Sequence, residues 1–284
     1  MLEVMMSSTS QSQKAARFRG LHDRPAAFII PNPWDVGSAR ILASMNFEAL
    51  ATTSTGFAHT LGQNDGSVSR DRVLSHCKTI VEATDLPVSA DLENGYGENP
   101  EAVAETIAMA SETGLVGGSI EDHTNNPADP IFEFSEALER VQAAVESKSK
   151  LPHDFILTAR CENYVWGRTD LDDTIKRLQA YAAAGADVLY APGLQDIETI
   201  REICTAVSKP VNVVIEMSNI NLKLKDLSDV GVKRISIGSI LFLTAYGSLV
   251  SAAAELKEQG TFTFSTNAAS FSELENIFSA YKDS

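Results

Sequence analysis

Short apolar runs alternate with longer amphipathic stretches along most of the chain. Runs of strand length, each rich in apolar or β-branched residues and followed by turn residues, occupy residues 26–31, 49–54, 87–93, 117–122, 155–161, 187–192, 211–216 and 234–238. Stretches with helical spacing of apolar positions separate them, and most begin after an Asp, Ser, Thr or Pro that suits a helix N-terminus. The pattern predicts eight strands that alternate with helices.

Eight such strand–helix units in 284 residues are typical of a (β/α)8 TIM barrel. A doubly wound open sheet is the alternative. No linker interrupts the repeat, so we expect residues 21–284 to form a single barrel domain with C-terminal helices. Residues 1–20 have no basic segment followed by a long apolar core, and we interpret them as a flexible N-terminal tail instead of a signal peptide.

Residues 235–254 carry no charge over a length that would span a membrane. Serines, Thr244 and Gly247 dilute the apolar run, and a strand-like segment precedes it, so we interpret it as a buried strand joined to a helix. That helix, from about Leu241, is apolar on nearly every side, which is unusual on the outside of a monomer. Burial against another subunit is the simplest explanation, and it predicts a homo-oligomer and no membrane.

The formal net charge of −15 argues against binding to nucleic acid or to an anionic membrane surface. An anionic substrate would therefore need local positive charge or a metal ion. The three cysteines are widely spaced and fit neither a disulfide framework nor a thiolate zinc site. These features favour the cytoplasm as the compartment.

Acidic residues collect where the predicted strands end, which in a TIM barrel is the active face. In the stretch SADLENGYG, Asp91 and Glu93 are two residues apart and would point to the same side of a strand. Glu121 follows the next strand, and Asp65 lies in the loop after the second. These oxygen donors suit Mg²⁺, with Mn²⁺ possible, better than zinc. The alternative is that they cap helices or pair with nearby arginines.

Other strand ends carry groups that suit an anionic substrate. Arg160 can hold a carboxylate with two parallel hydrogen bonds, although it can equally be a buried counter-ion of Glu121 or Glu162. The stretch Ser54, Thr55 and Gly56 offers backbone amides to a carboxylate, and an ordinary turn has a similar composition.

Five segments together resemble the isocitrate lyase and phosphoenolpyruvate mutase superfamily: PNPWDVGSARIL, TTSTGFAHTLGQNDG, SADLENGYG, GGSIED and TARCEN. The resemblance covers about residues 26–247 and is strongest to short members of the phosphorylmutase-like or oxaloacetate-decarboxylase-like kind. It implies a barrel that exchanges its eighth helix between subunits, commonly as a tetramer built from two dimers.

The same resemblance implies roles for the acidic and polar residues. Asp91 would bind Mg²⁺ directly, and Glu93, Glu121 and Asp65 would hold the waters of the ion. Ser54, Thr55 and Gly56 would contact a substrate carboxylate, with Arg160 on its other side. The chemistry of the family passes through the enolate of an α-keto acid.

The chain departs from the family in the segment after the fourth strand, EDHTNNPADPIFEF, residues 121–134. It lacks the cysteine and lysines of the isocitrate and methylisocitrate lyases, which argues against those two activities. It also lacks the Lys-x-Asn-Ser lid of the phosphonate enzymes, although Asn125 and Asn126 could supply a similar amide. His123 is a candidate proton carrier, or alternatively a hydrogen-bond partner beside the metal ligands.

The sequence therefore predicts a Mg²⁺-dependent lyase or decarboxylase that acts on a small α-keto or 2-hydroxy dicarboxylate through an enolate. Two alternatives remain: a phosphonate-bond mutase or hydrolase, and a paralogue that has kept the metal site and lost turnover.

Overall fold

The computed structural model describes residues 9–281, which form one parallel eight-stranded sheet surrounded by helices. The strands are β1 (Phe28–Ile30), β2 (Leu50–Ala51), β3 (Val88–Asp91), β4 (Gly117–Glu121), β5 (Ile156–Arg160), β6 (Val188–Tyr190), β7 (Val211–Val214) and β8 (Arg234–Ser236). All eight predicted strands are confirmed, each one shorter than its apolar run.

The sheet is rolled into a nearly closed barrel. Its order is β1-β8-β7-β6-β5-β4-β3-β2, so β1 and β2 are the two ends. The amide of Ala51 donates to the carbonyl of Pro31 at 3.0 Å, and Asn32 Nδ2 donates to the carbonyl of Thr52 at 3.0 Å. These bonds join the two ends, and the predicted (β/α)8 barrel is confirmed.

The described residues form eleven α-helices and one short 3-10 helix, Thr263–Asn267. The α-helices are α1 (Gln11–His22), α2 (Val36–Ser44), α3 (Ser54–Thr60), α4 (Arg70–Ala83), α5 (Pro100–Glu112), α6 (Phe134–Ser149), α7 (Leu171–Ala184), α8 (Ile197–Ala206), α9 (Leu224–Asp229), α10 (Ile240–Glu258) and α11 (Phe271–Ser279). Asn99, Asp170 and Asp196 accept hydrogen bonds from the first turns of α5, α7 and α8, as their positions in the sequence predict.

Strand residues alternate between the helix layer and the interior of the barrel. In β5, Ala159 packs against the helices, whereas Thr158 and Arg160 face inwards, where they bond Arg234 and Asp91. Cys161 lies in the same apolar cluster as Ala159, on the side away from Arg160.

The prediction of a flexible tail over residues 1–20 is wrong for residues 11–20, which belong to α1. A capping box between Ser10 and Gln13 starts this helix. Ala15, Phe18 and Leu21 are buried and pack with Phe28 and Ile156, so α1 closes the amino-terminal end of the barrel. Residues 1–8 lie outside the described part of the chain.

Helix α10 follows β8, as predicted, but it is not buried within the chain. Phe242 is its buried residue, while Leu249 and Val250 are 62% and 67% exposed. Among the residues that the structure describes, α10 is the one helix long and apolar enough to cross a membrane, which by itself is weak evidence that it does so.

Candidate active site

A cavity of about 590 Å³ opens at the carboxyl ends of the strands. It brings together nine of the ten residues predicted for the site. Those nine are Ser54, Thr55, Asp65, Asp91, Glu93, Glu121, His123, Asn125 and Arg160.

Gly56 is the predicted residue that does not line this cavity. It lies in the first turn of α3, where its amide donates to Thr53 Oγ1 at 3.2 Å. A Cβ on Gly56 would lie 2.6 Å from Thr53 Cγ2, so a larger residue would not fit. The amide of Gly56 is therefore already bonded within the chain, and the side of this segment that faces the cavity consists of Ser54 and Thr55.

Asp91 and Glu93 lie on the same side of the site, but for a different reason from the one predicted. Strand β3 ends at Asp91, and Glu93 has a φ of 48°, in the left-handed region. The turn, and not strand alternation, carries Glu93 back towards Asp91. Asp91 Oδ2 accepts from Ser54 Oγ at 3.0 Å, and Leu92 between the two acids is buried in the helix layer.

Arg160 is the centre of the charged network. Its Nη1 is 3.2 Å from Asp91 Oδ1, its Nη2 is 3.1 Å from Glu121 Oε2, and its Nε donates to Glu162 Oε1 at 2.8 Å. The predicted counter-ion role of Arg160 is thus present. A guanidinium has five N–H donors, so two remain for another ligand.

Burial raises the pKa of Glu93 to about 8, with further contributions from the charges of Asp91 and Glu121. Its hydrogen-bond donor is the hydroxyl of Tyr96, 3.3 Å from Oε1. Glu121 differs: its burial would raise the pKa, but Arg160 and His123 outweigh burial and lower it. The two acids therefore sit in one cavity with opposite pKa shifts, and Glu93 is the one that lacks a basic partner among the described residues.

The carboxylate oxygens of the cavity are ligands of the kind that a hard divalent cation prefers, but they do not form a complete coordination shell. Asp65 Oδ2 accepts from Thr55 Oγ1 at 2.6 Å and, like Glu93, has no ion pair within residues 9–281. In that same range, no three His, Cys, Asp or Glu side chains converge to hold one metal ion. An ion at this face would have few protein ligands and several waters, which is the usual arrangement for Mg²⁺.

His123 lies over the acidic side of the cavity. Its Nδ1 is 3.7 Å from Glu121 Oε1, and its ring stacks on that of Trp166, with centroids 4.5 Å apart. Its Nε2 is buried and has no hydrogen-bond partner among the described residues. His123 also pairs with Ile131 in an isolated antiparallel bridge, which joins the two ends of the segment between them.

Three residues with a place in the site were missed or named only in passing by sequence reasoning. Glu162 is 3% exposed and accepts a hydrogen bond from Arg160. Its position two residues after the arginine that ends β5 was a partial signal. The Tyr190 ring lies beneath the Arg160 guanidinium, 4.9 Å from centroid to Cζ. Trp166 follows β5 in a loop without periodicity, so no pattern in the sequence indicated it.

Comparisons with known proteins agree with this architecture. The sequence model of the phosphoenolpyruvate phosphomutase family matches residues 18–257. A lyase/mutase candidate of Burkholderia cenocepacia J2315, solved as a crystal structure, is 52% identical, with a TM-score of 0.94 over 96% of this chain and 99% of that chain.

Two further relatives have more specific names. A phosphonomutase candidate of the same organism is 38% identical, with a TM-score of 0.79 over 89% of this chain and 100% of that chain. The 2-methylisocitrate lyase of Escherichia coli (strain K12) is 30% identical over 58% of this chain and 57% of that enzyme. Because the family model matches most of its length, the chain belongs to the phosphoenolpyruvate phosphomutase family.

Proposed function

We propose that this protein is a Mg²⁺-dependent lyase that breaks a carbon–carbon bond in a small 2-oxo or 2-hydroxy dicarboxylate. The observation that carries the proposal is the charge of the cavity. The carboxylates of Asp65, Asp91, Glu93 and Glu121 line it, and Arg160 is the only arginine or lysine among its described lining residues. Like charges gathered in one cavity need a cation to relieve their repulsion, and an anionic substrate needs one to bind.

Asp91 would be the direct ligand of the ion, because it ends β3 at the base of the cavity. Glu93, Glu121 and Asp65 would orient its waters. A bound Mg²⁺ would supply positive charge to the oxygens on which negative charge develops as the bond breaks. Mn²⁺ has similar ligand preferences and would serve as a substitute.

The remaining side chains would bind the substrate and move a proton. The two free N–H groups of Arg160 would hold one carboxylate, and Ser54 and Thr55 would contact the other. In decarboxylation of oxaloacetate, the bond between C3 and the departing carboxylate breaks, CO₂ leaves, and the electron pair remains as the enolate of pyruvate. A proton then has to reach C3. The candidate group is Nε2 of His123, which is buried and has no hydrogen-bond partner among the described residues, and the Asn125 amide lines the same cavity.

Oxaloacetate decarboxylation tests the proposal directly. The expected result is pyruvate formation that needs Mg²⁺, stops with EDTA and is lost in Asp91→Ala, while Glu198→Ala, an exposed acid outside the cavity, retains it. Full activity of Asp91→Ala in EDTA would refute the metal-dependent mechanism.

Phosphonate-bond chemistry is the second candidate, favoured by the 38% identity to a phosphonomutase candidate. Phosphorus NMR separates the two reactions, because only the phosphonate enzyme would consume phosphonopyruvate or phosphoenolpyruvate. A paralogue that had lost turnover would bind oxalate with Mg²⁺ and convert none of these compounds.

We also propose that the protein is a cytoplasmic homo-oligomer, a tetramer built from two dimers, in which α10 packs against a second copy. Large apolar side chains are exposed along this helix and in the segment after it: Leu243, Tyr246, Leu249, Val250, Leu256 and Phe262. A face of this kind is typical of a subunit interface. The negative charge of the chain argues against a nucleic acid or an anionic membrane as its partner.

A further inference from the structure

One side of the active-site cavity is apolar. The acids of the proposed metal site come from β2, β3, β4 and the loops that follow them. Opposite them, an apolar wall comes from the loops after β4, β5 and β6 and from the end of β7, and consists of Pro127, Val165, Trp166, Pro192 and Val214.

Two members of this wall are large and open to solvent in the free protein. Val165 is 49% exposed and Trp166 is 41% exposed. Exposed apolar groups inside a cavity gain free energy when a ligand covers them. The cavity, at about 590 Å³, has room for a ligand larger than a four-carbon acid.

The wall is held in place before any ligand binds. Trp166 stacks on His123 with an interplanar angle of 16°. Within the loop, the amide of Trp166 donates to the Glu162 carbonyl at 3.3 Å, and the amide of Arg168 donates to the Asn163 carbonyl at 2.8 Å. Gly193 lies in the loop after β6, and a Cβ on it would be 3.1 Å from the backbone nitrogen of Val165. The loop after β6 therefore packs directly against the backbone of the loop that carries Val165 and Trp166.

The charges in the cavity limit what the wall can accept. In the proposed reaction, Arg160 holds one carboxylate of the substrate, and Ser54 and Thr55 contact the other beside the metal ion. The described lining has no further arginine or lysine for a third carboxylate, and Glu162 and Glu216 on the same side as the wall would repel one. The third substituent of the substrate should therefore be uncharged.

We infer that the substrate is a 2-oxo or 2-hydroxy dicarboxylate with a bulky apolar group on C3, and that Trp166 is the residue that selects this group. This inference rests on the proposed function. The Trp166 ring and the other four residues of the apolar wall would recognise an alkyl or aryl substituent. Tricarboxylic acids are excluded as substrates.

Calorimetric titration in Mg²⁺ tests the inference with two 2-oxo acids that differ only at C3, pyruvate and phenylpyruvate. Phenylpyruvate is expected to bind at least about tenfold more tightly, since burial of even one methylene in an apolar pocket is worth about that factor. Trp166→Ala should reduce the ratio of the two dissociation constants to about threefold or less, whereas Trp166→Phe should keep most of it. Met45→Ala, an exposed apolar residue outside the cavity, is the matched control.

Equal affinities for the two acids, or a preference that survives Trp166→Ala, would overturn the inference. Oxalate separates this failure from failure of the proposed function. If oxalate binds in Mg²⁺ but phenylpyruvate has no advantage, the metal site stands and the role of the wall is wrong. If neither oxalate nor the 2-oxo acids bind in Mg²⁺, both proposals are wrong.

Discussion

At the scale of single residues, Arg160 determines the balance of charge in the site. It bonds Asp91, Glu121 and Glu162, and its side chain is 15% exposed. A buried ion pair contributes little net stability, but removing one partner leaves the other charge buried without compensation. Arg160 is therefore needed for folding of the metal-free site as well as for the proposed substrate binding.

Replacement of Arg160 by Met should destabilise the metal-free protein by roughly 3–5 kcal/mol, because three buried carboxylates lose their shared cation. The free energy of unfolding in denaturant, measured with EDTA present, checks this. Arg201→Met is the control: its pair with Glu198 is exposed, and its loss should cost less than about 1 kcal/mol. Similar costs for the two variants would contradict the network described for Arg160.

His22 gives a pH dependence that is separate from the active site. Its Nδ1 donates to the Phe18 carbonyl at 2.9 Å, and burial together with the charge of Arg234 lowers its pKa to about 3. The unfolded chain binds a proton on this histidine below about pH 6.5, whereas the folded chain does not. Its contribution to stability is therefore present above pH 6.5 and is lost progressively as the pH falls towards 3.

The matched variant is His22→Gln, which cannot take up this proton. Between pH 6.5 and 5, the difference in unfolding free energy between wild type and variant should shift by up to about 1.4 kcal/mol per pH unit against the wild type. Denaturant titrations at several pH values measure it, with His153→Gln as a control. A difference that does not vary with pH would show that His22 takes up its proton over the same pH range in the folded and in the unfolded chain.

Sequence reasoning located the residues that depend on strand ends and missed those that depend on loops. Asp91, Glu121 and Arg160 end their strands, so the barrel pattern placed them at one face. Glu93 was placed correctly for an incorrect reason, since its left-handed backbone is set by the turn after β3. Trp166 could not be found, because loop conformation depends on tertiary contacts such as that with His123.

At the scale of elements, α1 shows why an N-terminal segment can be misjudged. Its apolar residues are few and are spread among polar ones, so the sequence has the composition of a tail. The amino-terminal end of a barrel, however, has to be closed against water. Ala15, Phe18 and Leu21 close it, and the need for this plug becomes evident only from the complete barrel.

Phe18→Ala should cost about 3–5 kcal/mol of stability, because a fully buried aromatic ring is replaced by a cavity. Arg17→Ala, on the exposed side of the same helix, should change stability by no more than about 0.5 kcal/mol. Thermal and denaturant unfolding of the two variants test the role of α1. A flexible tail would instead give two variants of equal, wild-type stability.

At the scale of the whole molecule, α10 is the element that the single chain does not explain. The eight strands were predictable because each follows from a local apolar pattern. The place of α10 in the chain was predictable in the same way, but the surface that covers its exposed face is not encoded in a local pattern. Leu249 and Val250 lie at the middle of that face.

The double variant Leu249→Asp/Val250→Asp should dissociate the proposed oligomer, because charges would be buried in an apolar interface. Light scattering after size-exclusion chromatography should give about four times the chain mass of 30.6 kDa for the wild type and a lower multiple for the variant. Met217→Asp, an exposed site on the loop after β7, is the control. A wild-type mass of one chain would contradict the proposed assembly.

Titration with Mn²⁺, followed by electron paramagnetic resonance, shows whether the acidic face of the barrel holds a divalent ion. Bound Mn²⁺ loses the sharp signal of the free ion, so the bound fraction can be counted without knowledge of the substrate. We expect the wild type and Glu198→Ala to bind one Mn²⁺ per chain, which Mg²⁺ displaces by competition. We expect Asp91→Ala to bind none. Binding that is absent from the wild type, or unchanged in Asp91→Ala, would contradict the account.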